Sequence, residues 1–80
     1  MTEKEFIEEC CIALEVDSGS LNRESSPENV EAWDSLGYLN LISMIDSELG
    51  FVIESDDLQK FETLGSIIDY LKSENILENS

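Results

Sequence analysis

From Asp34 to Gly50 the sequence spells a start, a run and a stop. Asp34-Ser35 is a pair of helix-capping residue types, the following stretch holds no proline, and Gly50 suits the left-handed residue that ends a helix. At about 100° per residue, Tyr38, Leu41, Ile42, Ile45 and Leu49 fall on one stripe. A helix from Ser35 to Leu49 with such a stripe must bury it against other elements, and this fixes the kind of fold the chain can adopt. Leu36 and Leu39 point away from the stripe, at the Ser35 end. Two exposed leucines beside a serine make a docking spot, or they are the scattered apolar residues that any surface carries.

The flanking segments agree with a helical packing. Thr2 and Glu5 have capping-box spacing, and Phe6, Ile7, Cys10, Ala13 and Leu14 recur at helical intervals, predicting a first helix from about Glu3 to Glu15. Cys10 shares a face with Phe6 and Leu14 and reads as core, with Cys11 nearer the edge. Neighbouring cysteines do not suit disulfide geometry, and no histidine or basic pair stands by to activate either thiol. Asp17 to Ala32 is a long loop with Leu21 and Val30 as its plugs into the core. Phe51-Val52-Ile53 has no partner strand and reads as an extended connector over the core. Ser55-Asp56-Asp57-Leu58 is the capped start of a short helix. Thr63 caps a last one carrying Leu64, Ile67, Ile68 and Leu71. After Lys72 the tail frays into polar residues, with Ile76 and Leu77 adding one more contact. With no repeat and no linker, residues 1–80 read as a single all-α domain, a small four-helix bundle of three longer helices plus one short helix.

Composition narrows the function. Nineteen acidic residues against four basic ones give a net charge of -15 over 80 residues. That field repels nucleic-acid phosphates and anionic lipid, draws basic protein surfaces, favours a monomer and makes stability low and salt-dependent. No histidine is present, so no Ser-His-Asp triad can form, and no lysine is placed to act as a base for Ser35. Zinc-ligand spacing, a calcium loop and a glycine-rich phosphate loop are all missing from the sequence. No catalytic or metal-binding residue is assigned. The opening is polar and acidic, unlike a signal peptide, and no apolar run approaches a membrane span, which points to the cytoplasm. A reagent carrier or an interaction module remains.

Ser35 is the candidate for either role. A helix start has unpaired N–H groups and a partial positive charge, so a phosphate on this hydroxyl would sit favourably, with the Asp34 charge and the Trp33 ring beside it. The alternative is that Asp34-Ser35 is ordinary capping chemistry.

Asp34-Ser35-Leu36 opening the central helix resembles the acyl carrier proteins. So do the acidic composition, the long loop after the first helix, and Thr63-Leu64-Gly65-Ser66-Ile67 opening the last one. The resemblance covers nearly the whole chain and is strongest from Trp33 to Leu71. It implies that a phosphopantetheinyl transferase moves 4′-phosphopantetheine from coenzyme A onto Ser35. The thiol of that arm then holds an acyl or aminoacyl group as a thioester for partner enzymes. It also implies that Asp34 and Leu36 help the transferase recognise the site. A loading ligase and a downstream acyltransferase or synthase complete the partners. Leu36, Leu39, Asp46 and Glu48 are candidate docking residues, with Glu54, Asp56 and Asp57 contributing. Leu41, Ile45, Ile67 and Leu71 are the walls of a chain-sheltering pocket, or of a core with no room. Carriers of fatty acid synthesis have acids two and five positions after the serine and an apolar residue eight after it. Here those positions hold Gly37, Asn40 and Ser43. With Trp33 ahead of the motif, this looks like a stand-alone carrier of a specialised pathway. The competing reading is an unmodified acidic adaptor for a basic protein.

Overall fold

The computed structural model describes residues 1–78. They form α1 (Glu3–Ala13), α2 (Ser35–Leu49), α3 (Ser55–Leu58) and α4 (Leu64–Ser73), with no strand among the described residues. This is the all-α, four-helix arrangement that the periodicities predict, with α1 packed on one flank of α2 and α3 on another.

Helix α1 begins at its capping box: Thr2 Oγ1 accepts from the Glu5 N–H at 3.2 Å and the Glu5 carboxylate accepts from the Thr2 N–H at 2.9 Å. Those bonds hold the Glu5 carboxyl below its ordinary value. The helix ends at Ala13, short of the expected Glu15. Leu14 is the cap residue, and Glu15 turns the chain with φ +58°. The Glu15 N–H then reaches the Ile12 carbonyl at 3.1 Å and the Val16 N–H reaches Cys11 at 2.9 Å, a Schellman closure with glutamate where glycine is usual.

All four helices feed one core. Phe6, Cys10 and Leu14 meet Leu41 and Ile45 of α2, Leu58 of α3, and Ile67, Ile68 and Leu71 of α4. A fully covered aliphatic side chain of this kind contributes about 1.5–3 kcal/mol. The expected α2 stripe is shifted. Tyr38, Ile42 and Leu49 are half-buried, while Met44, absent from that stripe, is buried on the flank facing α1. Cys11, expected near the edge, is covered too, and both thiols are free. Burial pushes the Cys10 thiol well above its ordinary value, so it is inert packing.

The long loop is tied down by backbone bonds. The Leu64 N–H donates to Ser25 O and the Gly65 N–H to Arg23 O, each at 2.8 Å, so loop carbonyls satisfy the first amides of α4. A Cβ on Gly65 would stand 2.8 Å from that Arg23 oxygen, and only glycine admits the approach. Arg23 adds ion pairs to Asp69 at 2.6 Å and Glu3 at 3.0 Å, and Lys72 meets Glu3 at 2.7 Å. Leu21 plugs the core as expected, with Val30 half-buried beside it.

Two local readings need correction. Ser55 does not cap α3; it is the first helical residue, its hydroxyl accepts from Gln59 Nε2 at 3.0 Å, and Glu54 ahead of it makes no capping bond. The tail after Lys72 does not simply fray. Asn75 takes φ +59°, the Ile76 N–H bonds Leu71 O at 2.8 Å, and Leu77 is buried, which is the added contact expected of Ile76 and Leu77. Phe51-Val52-Ile53 is the expected extended connector, with Ile53 inside and Val52 outside.

Candidate attachment site

Ser35 is the first residue of α2, and it is exposed. The capping work at this helix start falls to Asp34. Its backbone is extended, its Oδ1 accepts from the Gly37 N–H at 2.9 Å, and its carbonyl accepts from the Tyr38 N–H at 2.9 Å. Among the described residues, the Ser35 hydroxyl and the N–H groups of Ser35 and Leu36 make no hydrogen bond within the protein. A nucleophile-bearing side chain therefore stands at the positive end of a 15-residue helix, facing solvent, with two amide donors beside it.

Gly37 explains how the helix start is held. A Cβ there would lie 2.5 Å from Ala32 O and 3.0 Å from Leu14 Cδ2, so the end of the loop and the end of α1 press directly on this turn. The acid that fatty-acid carriers place two positions after the serine has no space here. A glycine inside a helical run usually has such a packing reason, and this was the signal available in the sequence.

Trp33 is not a ring beside the hydroxyl. It is 2 % exposed, turned into the core with its ring edge-on to Tyr38 at 5.9 Å, and its Nε1 lacks a partner among the described residues. An indole is too large an apolar body to leave in water when a core lies one residue away.

The other candidate residues divide into two groups along α2. Leu36 and Leu39 are 65 % and 57 % exposed beside Ser35, as the periodicity requires. Asp46 and Glu48, also exposed, lie about 17–20 Å farther along at 1.5 Å per residue. Asp46 shares the Leu36–Leu39 face, whereas Glu48 looks toward α1. Glu54, Asp56 and Asp57 are exposed, and Asp57 pairs with Lys60 at 3.3 Å. Leu41, Ile45, Ile67 and Leu71 are closed into the common core, so the packed alternative describes them. An open depression of about 500 Å³ lies between Phe61, Thr63 and Tyr38, the last about one turn along α2 from Ser35. Burial raises the Tyr38 hydroxyl's pKa, keeping it a proton donor.

No group of three or more potential metal-ligating side chains forms among the described residues. No helix among them is long and apolar enough to cross a membrane.

Similarity to known proteins identifies the family. The family model for the phosphopantetheine attachment site matches residues 7–71. An acyl carrier protein of Porphyromonas gingivalis is 31% identical over 70 residues, covering 88% of this chain and 90% of that protein. One from Chlamydia felis is 36% identical over 61 residues, covering 75% and 77%, and one from Lactobacillus johnsonii is 25% identical over 77 residues, covering 91% and 96%. With most of its length matched in this way, the chain belongs to the acyl carrier protein family, whose cofactor is covalently attached 4′-phosphopantetheine.

Proposed function

We propose that Ser35 is the residue that takes the 4′-phosphopantetheine, and that the protein is a carrier of an acyl or aminoacyl group, not a catalyst. The observation that carries this is the division of labour at the start of α2. Asp34 caps the helix, which leaves the exposed Ser35 hydroxyl without a structural duty. A phosphodiester on Ser35 Oγ would lie beside the Ser35 and Leu36 amides and the positive helix end, so the residues present fit the group. When attached, it supplies a terminal thiol on a long flexible tether, able to hold its cargo as a thioester and raise its effective concentration at each partner. The chain's own part is to hold the hydroxyl outward on a rigid base and to present a rim that partners read. That rim comprises Asp34, Leu36, Leu39, Asp46 and Glu48. The partners are a phosphopantetheinyl transferase, a loading ligase and a downstream acyltransferase or synthase; the transferase draws on coenzyme A, and a cytoplasmic carrier is consistent with that supply.

A specialised pathway is favoured by what α2 offers near Ser35. Gly37, Asn40 and Ser43 leave that region uncharged, and Gly37 is locked by the Ala32 carbonyl. Charges near the attachment point set encounter and exclude wrong partners, so an enzyme that searches for acids there would pass this carrier by.

Intact mass after incubation with coenzyme A and a broad-specificity phosphopantetheinyl transferase tests the assignment. One phosphopantetheine is expected on the wild type and none on Ser35→Ala, with both folded by circular dichroism. A gain on Ser35→Ala overturns the choice of serine. No gain on folded wild type replaces the carrier with the acidic adaptor.

A further inference from the structure

The face of α2 turned toward α1 holds a groove of about 400 Å³ that shares only Glu48 with the rim around Ser35. Its apolar elements are Ile12, Ala13 and the edge of the buried Met44, and Ile12 is 69 % exposed. Its α2 wall is made of Asn40, Ser43 and Ser47, small and uncharged. At about 100° per residue these three lie within about 60° of arc with Leu36, so the wall runs in line with Leu36 at the start of α2. Its remaining charged residues are Glu9, Glu15 and Glu48.

No basic side chain lines this groove. Arg23 and Lys72 are engaged with Glu3 and Asp69, Lys60 pairs with Asp57, and Lys4 borders a separate depression with Glu8. Glu15 holds its charge at the groove's lip from a left-handed backbone position where glycine is the less strained choice. An occupant must therefore bring its own cations and an apolar side chain for Ile12. A second copy of this chain, itself at -15, is the wrong partner.

We propose that the α1–α2 groove is a docking surface for a basic amphipathic helix of a partner protein, with its apolar stripe on Ile12 and its Lys or Arg residues toward Glu9, Glu15 and Glu48. A helix laid between two helices in this way is a common mode of recognition. The inference deepens the carrier reading and rests on it for one thing, the identity of the partner as an enzyme that works on the arm at Ser35.

The test uses isotope-labelled protein without the arm, titrated with a synthetic amphipathic helix of leucine and lysine and followed by amide chemical shifts. Shifts are expected at Ile12, Ser43 and Ser47. Affinity is expected to fall about tenfold in Ile12→Ser and in the double variant Glu9→Lys, Glu15→Lys. The double variant Asp56→Lys, Asp57→Lys changes net charge equally and is expected to bind more tightly than the first pair. Glu15→Gly is expected to raise the melting temperature while weakening binding, a split that a purely structural residue would not produce. Shifts gathered on α3, or equal losses in the two charge-matched variants, overturn the proposal. Because the protein carries no arm in this titration, failure here leaves loading at Ser35 standing, and failure of loading leaves the footprint standing.

Discussion

The starts of α2 and α4 are written in nearly the same residues, Asp34-Ser35-Leu36-Gly37 and Thr63-Leu64-Gly65-Ser66, and the fold treats them in opposite ways. At α4 the first-turn amides are all served. Leu64 and Gly65 donate to loop carbonyls, Ser66 donates to Thr63 Oγ1 at 3.2 Å, and Ile67 donates to Thr63 O at 3.3 Å. The Ser66 hydroxyl is used as well, accepting from the Thr63 N–H at 3.2 Å and donating to Thr63 O at 2.6 Å. At α2 the loop arrives from the side, against Gly37, and leaves the end of the helix open. A helix start becomes structural when the chain packs over its end, and available for chemistry when a neighbouring residue does the capping and the end faces water.

The largest effect expected from this contrast is on loading. Ser35→Ala should abolish it. Ser66→Ala should load at the wild-type rate while the protein loses up to about 1 kcal/mol of stability, read by urea denaturation. Loss of loading in a folded Ser66→Ala would break the comparison outright.

Next come the two glycines. Gly65→Ala sets a Cβ against the Arg23 oxygen, and Gly37→Ala sets one against the Ala32 oxygen, at 2.8 and 2.5 Å. Backbone atoms cannot swing aside as a side-chain tip can, so each should cost about 1–3 kcal/mol despite the better helix propensity of alanine. The two should differ in function. Gly65→Ala loosens the loop from α4 and leaves the folded fraction loading normally. Gly37→Ala moves the turn that carries Ser35 and should lower the loading rate of folded protein as well.

These glycines also mark the limit of what the sequence showed. The helices were legible because capping boxes and apolar spacing are local signals, and Ser35 stands out as a candidate because a resemblance picks it from an ordinary capping pair. Which of Asp34 and Ser35 does the capping was not legible, since either side chain can accept from the first turn. The place of Trp33 was not legible either, because its burial depends on a core assembled from distant segments. Met44 lies off the predicted stripe because that stripe describes a helix covered on one side, and α1 covers a second flank. Arg23 gave no sign in its loop, since its partners Glu3 and Asp69 lie far away in sequence.

Smaller effects separate charge from capping. Thr63→Ala should cost about 1 kcal/mol and leave loading unchanged. Asp34→Asn should leave stability nearly unchanged, since asparagine caps as well as aspartate. If the transferase reads the charge of Asp34, loading of Asp34→Asn should slow; an unchanged rate would remove Asp34 from the docking rim and leave it as a cap alone.

The smallest effect concerns the outer lock of the closed end. Lys72 and then Arg23, by hydrogen bonds to its carboxylate, hold Glu3 below its ordinary value of 4.5. A carboxyl depressed in the folded state stabilises the protein fully above its unfolded value, and that contribution is lost as pH falls through the lower folded value. Glu3→Gln should therefore be less stable near neutral pH, and the two denaturation curves should converge on acidification. Because the Glu3 side chain is 25% exposed, the difference should stay below about 1 kcal/mol and shrink with salt. Hydrogen exchange gives this small change a location. Glu3→Gln releases one of the two carboxylates that hold Arg23, whose carbonyl receives the Gly65 amide, so Gly65 should lose protection. The Gly37 amide, bonded to Asp34 within the open end, should keep its own. Equal loss at both amides would show that the two helix starts open together, and the independence of the closed end from the open one would fail.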